Sequence, residues 1–290
     1  MAKTATWFEI PGVVRRRDPE HDAVPLVLDS PHSGAHYPEE FAYRCPLPML
    51  RRAEDAYVDQ LYDAAPVYGA TLVAALFPRS YIDANRAADD LDPAILTRPL
   101  PPSLKPRPVS RVGLVRRHAR PGIPIYDSKL DPEDVLARIE RYHQPYHRVL
   151  DDSVDRLHNA FGAVWHINCH SMPSYGNRSL GRCGEHGDFV LGDRDGTTCA
   201  AEFTAFVAGT IRRMGYLAAI NDPYKGVEIV RRHGRPAQRR HSLQIELNRC
   251  LYMDEESLEP NAGYSRLEEN LQRLVAAVAD YARHKTGQTT

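Results

Sequence analysis

Short unbroken apolar runs alternate along this chain with longer stretches whose apolar residues recur every three to four positions. The first pattern belongs to buried strands and the second to amphipathic helices. Residues 25–29 (PLVLD) form one such run, which passes at once into the polar loop Ser30-Pro31-His32-Ser33-Gly34. Between residues 49 and 65, Leu50, Tyr57, Val58, Leu61 and Tyr62 keep helical spacing, and residues 71–77 (TLVAALF) read as the next strand. Asp131-Pro132-Glu133 puts a capping oxygen, a first-turn proline and an early acid at the head of a helix. Its apolar positions include Val135, Ile139, Tyr142, Val149 and Leu157, and Pro145 is expected to kink or divide it. Residues 163–168 (AVWHIN) run as a strand into Cys169-His170-Ser171, and residues 188–192 (DFVLG) form another before a helix over about 198–214 that Gly215 would cap. Residues 242–248 (SLQIELN) alternate, and an amphipathic helix over about 264–284 follows.

Strands that alternate with helices predict an α/β fold, a three-layer sandwich around a central mainly parallel or mixed sheet. One interval breaks the rhythm. Over residues 91–124 prolines are dense (RPLPPSLKPRPV) and periodicity vanishes, so this segment reads as a loop or lid insertion, mainly solvated. No long linker divides the chain, and residues 1–290 read as a single catalytic domain.

Composition narrows the function classes. With 42% hydrophobic and 26% charged residues the chain can bury a full core. Lys and Arg total 37 against 38 for Asp and Glu, so no global positive field draws in a polyanion and nucleic acid is not an expected partner. Residues 1–8 lack a secretory pattern and no apolar stretch approaches the ~20 residues of a membrane span, so the expected location is the cytoplasm. Cys45, Cys169, Cys183, Cys199 and Cys250 form no Cys-x-x-Cys pair and read as free thiols.

Ligand sites of open α/β sheets lie beyond the carboxyl ends of strands, which directs attention to polar residues just after apolar runs. His32, His170 and Glu246 stand at such places. Two imidazoles and a carboxylate from separate strand ends suit a catalytic zinc site, which takes three protein ligands and leaves one position for water. Among 13 histidines, however, any one taken alone is more often a surface or core residue than a ligand.

The surrounding words carry more. Pro31-His32-Ser33-Gly34, Tyr81-Ile82-Asp83-Ala84-Asn85-Arg86, Asn168-Cys169-His170-Ser171-Met172-Pro173, Asp188-Phe189-Val190-Leu191-Gly192-Asp193, Asp222-Pro223-Tyr224-Lys225-Gly226 and Gln244-Ile245-Glu246-Leu247 occur in that order. This series resembles the N-formylglutamate amidohydrolase family of histidine breakdown, a distant relative of the zinc carboxypeptidases, over roughly residues 25–255. The resemblance implies a zinc-carboxypeptidase-like (phosphorylase/hydrolase-like) fold and hydrolysis of N-formyl-L-glutamate to formate and L-glutamate. It also implies Zn2+, or another divalent metal, held by His32 and His170, with Asn85 and Arg86 on a substrate carboxylate and Glu246 as general base.

One position departs from the carboxypeptidase pattern. The glutamate expected three residues after the first histidine is Ala35 here, so a third ligand must come from elsewhere. Asp55 is the choice, at the head of an expected helix over 55–65, within a segment similar to an acidic stretch of the family; Glu54 and His36 are the alternatives. Asp55 reads equally well as an ordinary acidic helix start. A small dicarboxylate substrate needs more than one cationic clamp, and one or two of Arg231, Arg232, Arg235, Arg239 and Arg240 are expected to turn inward. Other readings stay open: a deacylase or carboxypeptidase acting on another acidic acyl-amino acid or peptide, a binding protein with a degenerate site, and a thiol enzyme built on Cys169.

Overall fold

The computed structural model describes residues 7–19, 22–101, 112–174 and 187–287. Its strands are β1 (Trp7–Ile10), β2 (Val14–Arg17), β3 (Leu26–Ser30), β4 (Thr71–Ala75), β5 (His118–Arg120), β6 (Ile123–Pro124), β7 (Val164–Met172), β8 (Phe189–Gly192), β9 (Ala218–Ile220) and β10 (Arg240–Asn248). Its α-helices are α1 (Leu47–Arg51), α2 (Val58–Leu61), α3 (Pro132–Arg138), α4 (Gln144–Phe161), α5 (Ala201–Arg213), α6 (Glu228–His233) and α7 (Tyr264–Lys285). Eight strands form one sheet in the order β1-β2-β4-β3-β7-β10-β8-β9. The central pairs β4/β3, β3/β7 and β7/β10 are parallel, whereas β1/β2, β2/β4 and β10/β8 are antiparallel. The sheet is thus mixed, one of the two arrangements that the alternation of elements left open.

Successive strand side chains point to opposite faces, so each central strand feeds two cores. Leu26 and Leu28 of β3, Trp165 and Ile167 of β7 and Leu243, Ile245 and Leu247 of β10 join residues of α2, α5 and α7 on one side. Val27, Val73 and Val164 join Tyr146, Val149, Leu150 and Leu157 of α4 on the other. The result is a three-layer α/β sandwich. Ile245 is fully buried among the first set. Ile245→Ala is expected to destabilise the protein by about 2–5 kcal/mol, through lost burial and the cavity left behind, and urea unfolding measures it.

Several local expectations change in the structure. The stretch over 49–65 is not one helix but α1, a loop and α2, because Tyr57 adopts a left-handed backbone (φ 67°) that no continuous helix tolerates. Asp55 therefore sits in the loop and not at a helix start. The division near Pro145 is real: α3 passes through one π-helical turn, Ile139–His143, and α4 opens with Pro145 in its first turn, where the ring has no N–H to continue the regular ladder.

The insertion over 91–124 is less solvated than expected. Residues 102–111 lie outside the described residues, but Leu91, Ile95, Leu96, Leu114 and Val115 are buried in the second core, and β5 pairs with β6. Their scattered spacing within a proline-rich stretch has no period to reveal that burial. The edge strands β1 and β9, and β2 beside β1, lacked a readable signal too, since β2 is VRRR and β1 exposes Trp7 and Phe8. Cys45, Cys169 and Cys199 are buried free thiols, while Cys250 is disulfide-bonded, a pairing that no short spacing announces. Cys183 lies outside the described residues, among which no helix is long and apolar enough to cross a membrane.

Candidate functional site

The alternation that buries Leu243, Ile245 and Leu247 on one face of β10 turns Ser242, Gln244 and Glu246 to the other. On β7 the same face carries His166, Asn168 and His170. The parallel register aligns His166 with Ser242, Asn168 with Gln244 and His170 with Glu246. Neighbouring strands lie about 4.8 Å apart, so His170 and Glu246 emerge side by side near the strand ends. His32 arrives two residues after β3, in a turn pressed against the backbone of Leu76 and Phe77. Gly34 permits that approach, since a Cβ there would stand 2.3 Å from the Phe77 carbonyl oxygen. The Asp55 loop is laced to the same turn: Asp55 N donates to His32 O at 3.0 Å and Ser33 Oγ to Asp55 O at 3.0 Å.

Asp55 Oδ2 lies 2.9 Å from His170 Nδ1 and 3.4 Å from His32 Nδ1, with all three residues almost fully buried. The hydrogen bonds behind the rings decide what these atoms are. Asn168 Nδ2 donates to Asp29 Oδ1 at 2.8 Å, which leaves Asn168 Oδ1 to accept from His170 Nε2 at 2.8 Å. His32 Nε2 donates in the same way to Asp83 Oδ1 at 2.6 Å. Each ring proton is therefore on Nε2, and each Nδ1 presents a lone pair. Three acceptor atoms, His32 Nδ1, Asp55 Oδ2 and His170 Nδ1, all within 4.8 Å of one another, face a common point. His32 Nδ1 is buried and has no hydrogen-bond partner. That donor set, backed by a carboxylate and an amide on the far ring nitrogens, fits a divalent cation.

The charges around it are arranged to keep Asp55 anionic. Burial alone would raise its carboxyl, but the contacts with His170 and His32 and the Arg79 charge outweigh burial and hold it well below the usual carboxylate range. Arg249 adds a hydrogen bond to Asp55 Oδ1 at 3.0 Å. Glu246 is the opposite case: burial pushes it up to about 7, Asp55 adds to the rise, and His170 and Arg79 oppose it. Gln244 Nε2 steadies Glu246 Oε1 at 2.9 Å. His32, His170 and Glu246 line one cavity of about 480 Å³, with Asn85, Arg86, Arg116 and the Pro223-Tyr224-Lys225-Gly226 segment.

Asn85 Oδ1 accepts from Ile229 N at 2.9 Å, which turns its Nδ2 donor toward the site. The Arg86 guanidinium approaches Asp90 at 3.8 Å. The alternatives for the third acidic or imidazole position fall elsewhere. Glu54 is buried but held by the Tyr37 hydroxyl at 2.6 Å, and His36 is exposed. Nor do the arginines before β10 turn inward as expected. Arg231, Arg232 and Arg240 pair with Glu228, Asp151 and Asp155, Arg239 reaches Lys285 O, Arg235 is exposed, and none lines the cavity. The cations that line the cavity include, besides Arg86, Arg79, Arg116 and Arg249, which sequence spacing did not single out. Cys169 points into the opposite core, and burial and the Asp29 charge push its thiol well up, which disqualifies it as a nucleophile beside His170.

Residues 24–253 match the family model of N-formylglutamate amidohydrolase. The N-formylglutamate deformylase of Pseudomonas aeruginosa is 31% identical over 243 residues, spanning 81% of this chain and 84% of its own. That of Pseudomonas putida is 31% identical over 238 residues, spanning 80% and 83%. The crystal structure of N-formylglutamate amidohydrolase from Ralstonia eutropha superposes with a TM-score of 0.89 at 46% identity, covering 94% of this chain and 99% of that one.

Proposed function

The chain belongs to the N-formylglutamate amidohydrolase family, hydrolases of a non-peptide C–N bond, and from that premise we propose that it cleaves N-formyl-L-glutamate to formate and L-glutamate with the help of a divalent cation, zinc by the donor set. On this reading the enzyme serves histidine breakdown in the cytoplasm. The observation that carries it is the convergence of His32 Nδ1, Asp55 Oδ2 and His170 Nδ1, with His32 and His170 lining the same cavity as Glu246.

Held by His32, Asp55 and His170, the cation would acidify a water molecule and polarise the formyl carbonyl. Glu246 takes the proton of the attacking water and returns it to the departing amide nitrogen, so that formate and a free amine separate. A carboxylate raised by burial toward neutrality is matched to both transfers. Asp83 and Asn168 keep the two imidazoles in the tautomer that leaves Nδ1 unprotonated. Asn85 and Arg86 hold a carboxylate of the dicarboxylate substrate.

Metal analysis of the purified protein, paired with formate release from N-formyl-L-glutamate before and after chelator dialysis, tests the proposal. Activity is expected to vanish with the metal and return on adding it back. Release of amino acids from peptides, with none from formylglutamate, would replace this reading by a carboxypeptidase. Asp83→Asn is expected to weaken metal affinity by about 10–100-fold, the usual effect of losing a carboxylate behind a ligating histidine, as read by competition with a chromophoric chelator.

A further inference from the structure

We propose that Arg116 is a specificity-determining residue, presented by the proline-rich insertion to one of the two carboxylates of the substrate. The inference rests on the dicarboxylate reading above. Arg116 lines the same cavity as His32, His170, Glu246 and Arg86. Its backbone is stitched to the loop that carries Asp83, Asn85 and Arg86: Leu114 N donates to Asp90 O at 2.6 Å and Asp83 N donates to Leu114 O at 2.8 Å. The Leu114 and Val115 side chains are buried in the core, so the guanidinium is placed by packing and not by a loose tether.

Its charge lacks a carboxylate of its own. Arg79 is engaged by Asp55 and Asp83, Arg249 by Asp55, Ser171 and the Glu54 carbonyl, and Lys225 by Asp195. Among the described residues the carboxylate nearest Arg116 is Asp83, whose Oδ2 lies 3.7 Å away and already accepts from Arg79 at 3.0 Å. Arg116 Nε is buried with no hydrogen-bond partner. Burial and the adjacent Arg79 charge loosen its hold on its proton, down to about 9, a penalty that an arriving anion relieves. A planar guanidinium with unused donors, held beside a second cavity-lining arginine, suits a ligand with two carboxylates.

The test compares wild type with Arg116→Gln on N-formyl-L-glutamate, on N-formyl-L-glutamine, which lacks the side-chain carboxylate, and on N-formyl-L-isoglutamine, which lacks the α-carboxylate. The variant is expected to lose about tenfold to a hundredfold in kcat/KM on formylglutamate, the usual worth of a charged hydrogen bond, at unchanged metal content. The loss should vanish on whichever amide lacks the carboxylate that Arg116 reads. An equal loss on all three substrates overturns the proposal. If wild type hydrolyses none of them, the formylglutamate reading itself has failed, and calorimetric titration with glutarate decides Arg116. At least about tenfold weaker binding in the variant supports the assignment, and equal affinity overturns it. Should Arg116→Gln not fold, Arg116→Lys serves, with a smaller loss on formylglutamate that again vanishes on one amide; a uniform loss refutes the role.

Discussion

Glu246→Gln is expected to lower kcat by roughly 10²–10⁴-fold while metal content and unfolding midpoint stay at wild-type values. The substitution is nearly isosteric, and a glutamine carbonyl can still accept from Gln244 Nε2, so the local fold has no reason to change. What disappears is the lone pair that accepts a proton from water and later releases it. Glu246 is not among the three converging donor atoms, hence the expectation that the metal remains. The pH profile provides an independent check. A general base works only when deprotonated, so wild-type kcat falls on the acid side as Glu246 takes up its proton, and that limb should be missing from the residual activity of the variant. Burial pushes the group up to about 7, whereas a bound divalent charge favours the carboxylate, so the limb of the loaded enzyme is expected below that value. A variant with near wild-type turnover would remove Glu246 from the chemistry.

His32→Ala is expected to abolish stoichiometric metal binding and, with it, formate release. Losing a residue behind a ligand already weakens affinity by about 10–100-fold, so losing one of three ligands outright must exceed that. Asp55 and His170 alone would have to hold the cation against Arg79 and Arg249, both of which compete for Asp55. The same reasoning separates this substitution from Asp55→Asn, which also strips the buried Arg249 guanidinium of its carboxylate partner and leaves Arg79 with Asp83 alone. That variant is expected to lose stability as well, by about 3–5 kcal/mol, the range for breaking a buried ion pair from one side. Metal analysis and thermal unfolding on the two variants give different patterns: His32→Ala loses metal with the smaller fall in unfolding temperature, and Asp55→Asn loses metal with the larger one. Full occupancy in purified His32→Ala would falsify the site.

The positioning of these residues also explains why the buried polar ladder on β7 and β10 is not a defect of the core. Asp29 accepts from His166 Nε2 and Asn168 Nδ2, each at 2.8 Å, and from the Tyr146 hydroxyl, while His166 Nδ1 meets Ser242 Oγ at 2.7 Å. A fully paired network of this kind is tolerated inside a protein because few of its donors are left wanting. Through Asn168 its geometry reaches His170, so the orientation of a site imidazole is set by groups well below the cavity.

Local order along the chain was enough to determine the three-layer α/β architecture and to bring His32, His170 and Glu246 forward. Each of those conclusions rests on a period of two or on where an apolar run stops, and both are properties of a few consecutive residues. The alternation in residues 242–248 alone puts Ile245 in a core and Glu246 on the opposite face. Only the tertiary structure shows that Asp55, and not Glu54 or His36, lies beside the two imidazoles, because neighbours in an irregular loop have no period to say which one turns inward. It also decided which arginines face the cavity. Arg231, Arg232 and Arg240 found acidic partners on elements distant or near and turned away, while Arg79, Arg116 and Arg249 converged from three separate segments. Charge acts through space and not along the chain, so the partner of a cation is known only once the fold has brought the two together.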